Sequence, residues 1–187
     1  FAATGIFGRF RARPASKSGQ GLGQTVDSFA ELIWSRHGGP MDTDSFEEQL
    51  REGEKRLAKG QAGEAVSCLQ RCVELRPDDA RAWLSLGQAL SESGRDAEAL
   101  GQLEQAVALD ASQVRGYIRL GNVLRALSRT GEAVEAYGRA MELRPADPFI
   151  LSNLGNAWLD LGESGRAIDC YRRSEEHTSE LQSQPDL

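Results

Sequence analysis

The sequence predicts an all-α fold, a right-handed α-solenoid of about four helix–turn–helix repeats of 34 residues each. Three observations support this: residues recur at a strict interval of 34, apolar side chains follow helical spacing, and glycine and proline stand where helices must end. The recurring residues are Gly53, Gly87, Gly121 and Gly155; Ala65, Ala99, Ala133 and Ala167; and Leu69, Leu103, Tyr137 and Tyr171. A period of this length indicates stacked repeats, because one helical pair cannot bury both of its faces.

Each interval encodes two helices. In residues 114–147, a first apolar stripe at Tyr117, Leu120, Gly121 and Leu124 has the i, i+3, i+4, i+7 spacing of one helix face. A turn and a second stripe follow, and proline then ends the second helix because its ring cannot continue one. The predicted helices cover about residues 47–58, 62–75, 80–93, 96–109, 114–127, 130–143, 148–161 and 164 onward.

Glycine recurs inside the first helix of every unit, where it costs roughly 1 kcal/mol relative to alanine. Close helix packing must offset this cost. We expect the missing side chain at Gly87 to let the second helix approach through Ala99, while Leu103 fills the space toward the next unit.

One run of residues resembles the tetratricopeptide repeat signature in order and spacing: Trp83, Leu86, Gly87, Leu90, Gly94, Ala99, Leu103 and Ala106. The resemblance covers about residues 46–173 and places the family's terminal proline on Pro77 and Pro145. It implies a repeat domain over residues 41–173 that binds other proteins. The first helix of each unit would line a concave groove.

Composition narrows the function further. The 187 residues include 22 basic and 28 acidic side chains, an acidic balance that is atypical of proteins binding nucleic acid. No apolar run approaches the roughly 20 residues needed to span a bilayer. Three cysteines and two histidines lack the spacing of a disulfide framework or a zinc site, and no nucleophile, phosphate-loop or dinucleotide motif occurs. We therefore expect no catalytic residue, metal or cofactor here, and a cytoplasmic location, with organellar import as the alternative.

Both ends depart from the repeat pattern. Residues 1–40 carry five basic and two acidic side chains and predict a disordered or non-native segment, or else an organellar transit peptide. Residues 173–183 resemble the in-frame translation of a common sequencing adapter. We therefore expect residues 174–187 to be an artefactual tail on a fragment. Residues 174–183 should continue the last helix for a turn or two, because they include helix-forming residues and no proline precedes Pro185.

The resemblance assigns exposed positions along the groove, and arginines and amides occupy many of them. Arginine binds carboxylates in a bidentate manner, and amides can pair with an extended backbone, so we expect an extended acidic protein segment as the ligand. A solvated helix surface explains the same residue types. The predicted groove residues are Arg81, Gln88, Arg115, Arg119, Asn122, Arg125, Asn153 and Asn156, with Leu84, Ile118 and Phe149 as apolar neighbours.

Two narrower functions can be compared with these positions. Repeat domains that grip the acidic tails of heat-shock chaperones use a lysine at the fifth position, where this chain has Leu50, Leu84, Ile118 and Ser152. That clamp is therefore absent. The run Asn153–Asn156 resembles the repeat arms of Ser/Thr-modifying glycosyltransferases. Two hypotheses remain: a non-catalytic scaffold of undetermined oligomeric state, or the substrate-docking arm of a larger enzyme whose catalytic domain follows Arg172.

Overall fold

A computed structural model describes residues 43–183, with side chains described for residues 45–178. Within residues 43–183 the chain forms eight α-helices and no strand, which confirms the predicted all-α solenoid. The predicted segment 1–40 and the last four residues lie outside the described residues. The helices are α1 (Thr43–Ala58), α2 (Ala62–Leu75), α3 (Ala80–Glu92), α4 (Asp96–Leu109), α5 (Val114–Ala126), α6 (Thr130–Leu143), α7 (Pro148–Asp160) and α8 (Ser164–Ser183).

The helices stack as four pairs in chain order. Each helix packs against the next one along the chain, so that the second helix of a pair also covers the first helix of the following pair. The first helices contact one another directly, α1 with α3, α3 with α5 and α5 with α7. These four helices form a continuous surface, which we call the inner wall.

Three of the inner-wall helices, α3, α5 and α7, end one residue earlier than predicted. Two residues after each end the backbone has a positive φ, at Gly94 and Gly162 (78°) and at Ser128 (60°). A residue in this left-handed conformation reverses the chain and so ends the helix. Glycine adopts the conformation without steric cost, whereas Ser128 carries a Cβ atom that crowds its own backbone.

The turn that leads into α3 is held by two hydrogen bonds. The side chain of Asp79 accepts from the backbone N–H of Arg81 at 2.9 Å and so caps the helix. The indole N–H of Trp83 donates to the carbonyl of Pro77 at 2.7 Å. Asp147 caps α7 in the same way, so the start of each of these inner helices is fixed by the preceding aspartate.

The glycine that recurs in the first helix of each repeat faces a side chain 16 residues later in the chain. A Cβ atom added to Gly87 would lie 2.6 Å from Cγ of Leu103, and one added to Gly121 would lie 2.5 Å from Cε1 of Tyr137. The nearest atoms therefore belong to Leu103, and the expectation that Ala99 makes this approach is wrong. Leu103 fills the space over Gly87 within its own repeat, and it also lines a hollow together with Arg119 and Asn122 of the next repeat.

The last helix, α8, continues through the predicted tail to Ser183, which is longer than the expected turn or two. Ser174 is buried, and its hydroxyl donates to the carbonyl of Pro148 at 3.0 Å. Alanine occupies the equivalent places in the second and third repeats, at Ala106 and Ala140. The adapter origin of residues 174–187 stays a prediction, but their first residue has a packed position in the structure.

Candidate functional site on the inner wall

All eight predicted groove residues lie on α3, α5 and α7, and thus on the inner wall. A cavity of about 520 Å³ between α1, α3 and α5 is lined by Arg81, Gln88 and Arg115, with Leu57 and Leu84 as its apolar side. A hollow of about 40 Å³ follows and is lined by Gln88, Arg119 and Asn122. The structure therefore brings five of the eight residues to two adjoining depressions.

Arg115 and Arg119 lie one helical turn apart on α5 and have no ion pair among the described residues. Arg115 is exposed, whereas Arg119 is half-buried. Burial and the neighbouring charge of Arg115 lower the pKa of Arg119, and Glu92 partly opposes that shift. The wall thus carries two positive charges that its own carboxylates leave without a direct partner.

Two other predicted arginines already have partners. Arg81 pairs with Asp79 at 2.8 Å and with Glu47 at 3.1 Å, and these bonds raise the pKa of Arg81. Arg125 pairs with Asp160 at 2.7 Å. Arg81 therefore links α3 to α1, and Arg125 links α5 to α7, so either side chain would exchange an existing partner for a ligand.

The four predicted amide residues differ in how their side chains are used. The carboxamide of Asn153 donates to the carbonyl of Phe149 at 2.9 Å, and that of Gln88 donates to Glu92 at 2.7 Å. Asn122 and Asn156 instead accept a hydrogen bond at Oδ1, each from a tyrosine hydroxyl at 2.6 Å. Both asparagines are exposed, and neither Nδ2 donates a hydrogen bond within the described residues.

The structure adds a residue to this wall that the sequence did not indicate. Gln113 precedes α5 and lines the larger cavity. Its Oε1 atom is buried and has no hydrogen-bond partner among the described residues. Nothing in the spacing of the repeat marks this position as buried, because it depends on how Gln113 folds back toward Gly116.

The described residues hold no cluster of three or more His, Cys, Asp or Glu side chains able to bind a metal ion. Cys72 is buried in the core of the first repeat, as predicted, and burial raises the pKa of its thiol to about 11. Such a thiol stays protonated and unreactive at neutral pH. Within the described range, no helix combines the length and apolar character needed to cross a bilayer.

Solved structures with the same fold include proteins of different roles. A crystal structure of MamA has 21% identity and a TM-score of 0.72, covering 86% of this chain and 95% of that one. The first TPR of Spaghetti (RPAP3), bound to the HSP90 peptide SRMEEVD, has 25% identity and a TM-score of 0.62, covering 65% and 96%. A mutant O-GlcNAc transferase of Thermobaculum terrenum has 27% identity and a TM-score of 0.59, covering 63% and 22%.

Family models match two stretches of the sequence. One, described as a tetratricopeptide repeat, matches residues 50–114, and a second, described as a TPR repeat, matches residues 121–162. Together they cover more than half of the chain and coincide with the stacked helical pairs. No curated protein matches the sequence significantly. With its 34-residue period, its glycine-centred helical pairs and these matches, the chain belongs to the tetratricopeptide repeat family.

Proposed function

We propose that this chain is a non-catalytic protein-interaction scaffold that binds an extended, acidic protein segment along its inner wall. The observation that carries the proposal is the pair Arg115 and Arg119, which have no ion pair among the described residues and lie on one face of α5. Like charges one turn apart repel, and burial adds to the cost of the charge on Arg119. A ligand carboxylate would relieve both penalties.

The chemistry of the wall suits an acidic peptide better than a small metabolite. Each guanidinium can bind a carboxylate through two parallel N–H donors. Leu84 and Ile118 are half-buried beside the arginines, and Phe149 is 61% exposed on the same wall, so apolar side chains of a ligand also find contacts. Exposed ion pairs contribute only about 0–1 kcal/mol each, so binding would be of modest affinity and sensitive to salt.

One structural neighbour supports a peptide ligand of this kind. The RPAP3 domain is bound to a peptide with three acidic residues, SRMEEVD. This chain has leucine, isoleucine or serine at the position where chaperone-binding repeats use lysine, including Leu84 and Ile118. We therefore propose the same general class of ligand, held by the α5 arginines rather than by a lysine clamp.

The test is a selection of random twelve-residue peptides on the folded chain, followed by fluorescence anisotropy with the most enriched peptide at several salt concentrations. We expect acidic peptides to be enriched and the double variant R115E/R119E to lose binding while keeping its helical circular-dichroism signal. The matched control is R71E/R139E, which makes the same charge change at exposed arginines of α2 and α6. Enrichment of basic or neutral peptides, or binding by R115E/R119E with unaltered salt dependence, would show the proposal to be wrong.

A second candidate is the substrate-docking arm of a larger enzyme that modifies Ser or Thr residues. The likeness to an O-GlcNAc transferase favours this candidate. The aligned part covers 22% of the transferase chain. In such an arm, Asn156 rather than Asn153 would bind the substrate segment, since the Asn153 carboxamide donates a hydrogen bond to its own helix. Sequencing the full-length transcript beyond Arg172 decides between the two, because an in-frame glycosyltransferase domain would favour the enzyme.

The proposal also includes the domain boundaries, the C-terminal tail and the cellular location. We place the binding domain at residues 41–173 and assign no evolved role in binding to residues 174–187. A cytoplasmic location agrees with the three cysteines, Cys68, Cys72 and Cys170, which form no disulfide. Fluorescence microscopy of the tagged full-length protein would test this location against an organellar one.

A further inference from the structure

We infer that Tyr137 and Tyr171 are positioning residues, which hold Asn122 and Asn156 so that their side-chain amide groups donate hydrogen bonds to the backbone of a bound segment. This inference rests on the proposed function, since it requires an extended ligand on the inner wall. It assigns the tyrosines, which lie on the second helices of their repeats, a role in binding that is exerted through the asparagines.

The two tyrosines reach the inner wall because glycine separates them from it. Tyr137 packs over Gly121 and Tyr171 over Gly155, with ring carbons 2.5 Å and 2.7 Å from where a Cβ atom would stand. Each asparagine directly follows its glycine, at Asn122 and Asn156. A side chain at either glycine would keep the tyrosine hydroxyl from reaching the asparagine, so the hydrogen bond depends on the packing contact.

The direction of the hydrogen bond determines what the asparagine can offer. Burial raises the pKa of Tyr137, so its hydroxyl keeps its proton, and the nearby positive charge of Arg125 only partly opposes that shift. The Tyr137 proton is then donated to Oδ1 of Asn122, at 2.6 Å. Because a carboxamide is planar, fixing its oxygen also fixes its NH₂ group on the opposite side. Without this bond the terminal torsion of asparagine is broad, and oxygen and nitrogen can exchange places.

The first two repeats lack this arrangement. Leucine stands at the positions of the two tyrosines, at Leu69 and Leu103, and the positions of the two asparagines hold Glu54 and Gln88. Oriented amide donors are thus confined to the third and fourth repeats. Arg119 and Asn122 line the same hollow, so a segment whose carboxylate meets Arg119 would bring its adjacent backbone carbonyl to the amide of Asn122.

The test uses the double variant Y137F/Y171F, which keeps both rings over their glycines and removes only the hydroxyls. The matched control is Y117F, because Tyr117 lies on the other side of α5 and makes no hydrogen bond among the described residues. The first readout is the NMR signals of the Asn122 and Asn156 side-chain NH₂ groups without ligand. We expect both to shift in Y137F/Y171F and to stay unchanged in Y117F.

The second readout is affinity for the acidic peptide selected on the wild-type chain. Loss of the two oriented donors should weaken binding roughly three- to tenfold. The salt dependence should stay unchanged, because no charge is removed. N122A/N156A should weaken binding by a similar factor, whereas R115E/R119E should alter the salt dependence. All variants are compared at a temperature where circular dichroism shows them folded.

The outcomes separate this inference from the proposed function. Unchanged amide signals, or wild-type affinity in Y137F/Y171F or in N122A/N156A, would overturn the positioning role. The proposed function would still hold if R115E/R119E lost binding in the same experiment. Wild-type binding by R115E/R119E would instead remove the proposed function itself.

Discussion

The ring of Tyr137 occupies the space that a side chain on Gly121 would need, with its Cε1 atom 2.5 Å from the position of a Cβ atom. Gly121→Ala should therefore force the ring aside and lower the free energy of unfolding by about 1–3 kcal/mol, as overpacking does in other cores. The control is Gly138→Ala on α6, where nothing lies within 4 Å and alanine should add roughly 0.5–1 kcal/mol. Urea denaturation measures both, and equal effects at the two sites would contradict the packing argument.

Arg119 should destabilise the unliganded protein. Its charge is half-buried and faces the charge of Arg115, so Arg119→Met keeps most of the side-chain length and removes both penalties. We expect an increase in the free energy of unfolding of up to about 1 kcal/mol, with a smaller difference at high salt. The control Arg139→Met removes an exposed ion pair and should change stability by less than about 0.5 kcal/mol. A destabilised Arg119→Met protein would speak against an uncompensated charge.

The Arg125–Asp160 ion pair joins the third and fourth repeats, and the Arg125 side chain is 27% exposed. A double-mutant cycle with Arg125→Gln and Asp160→Asn should give a coupling energy of about 0.5–1 kcal/mol. The Arg139–Glu142 pair within α6 is 66% exposed on both sides and should give about 0.2–0.5 kcal/mol. Thermal unfolding of the four proteins in each cycle supplies these values. A coupling near zero at Arg125–Asp160 would mean that the pair does not hold the repeats together.

The thiol of Cys72 should make stability depend on pH at alkaline values. Burial raises its pKa from 9.0 to about 11, so in this window the unfolded chain loses a proton that the folded chain retains. The contribution of the protonated thiol to the free energy of unfolding is complete below pH 9. It is lost as the pH rises toward 11, by at most about 1.4 kcal/mol per pH unit. Cys72→Ala, which restores the alanine of the second and third repeats, should remove this component. If the wild-type and variant curves stayed parallel from pH 8 to 11, the thiol would not be the cause.

The period of 34 residues was sufficient to predict the fold, because it specifies both the helices and the stacking of one pair on the next. Helix ends were predicted to within one residue for α3, α5 and α7, where a residue of positive φ follows at Gly94, Ser128 and Gly162. The contact partner of Gly87 was not predicted correctly. The choice between Ala99 and Leu103 depends on the rotation of α4 about its axis. No sequence pattern records that rotation.

The placement of the eight candidate residues on the inner-wall helices could be predicted from the sequence, but their side-chain partners could not. The repeat register placed all eight residues on the inner wall. It could not show that Arg81 meets Glu47, 34 residues away, or that Arg125 meets Asp160, because those contacts depend on the distance between stacked helices. The buried acceptor of Gln113 was missed because it depends on how this side chain folds back toward Gly116.

Each described repeat contacts only the repeats next to it, so the fourth repeat packs against a single neighbour and is less protected against local opening than the third. Ile168 in the fourth repeat is 55% exposed, whereas its equivalent Val134 packs partly buried against the core. Amide hydrogen exchange should therefore be faster in α7 and α8 than in α5. A segment bound to both Asn122 and Asn156 would bridge the two repeats and slow exchange in the last one.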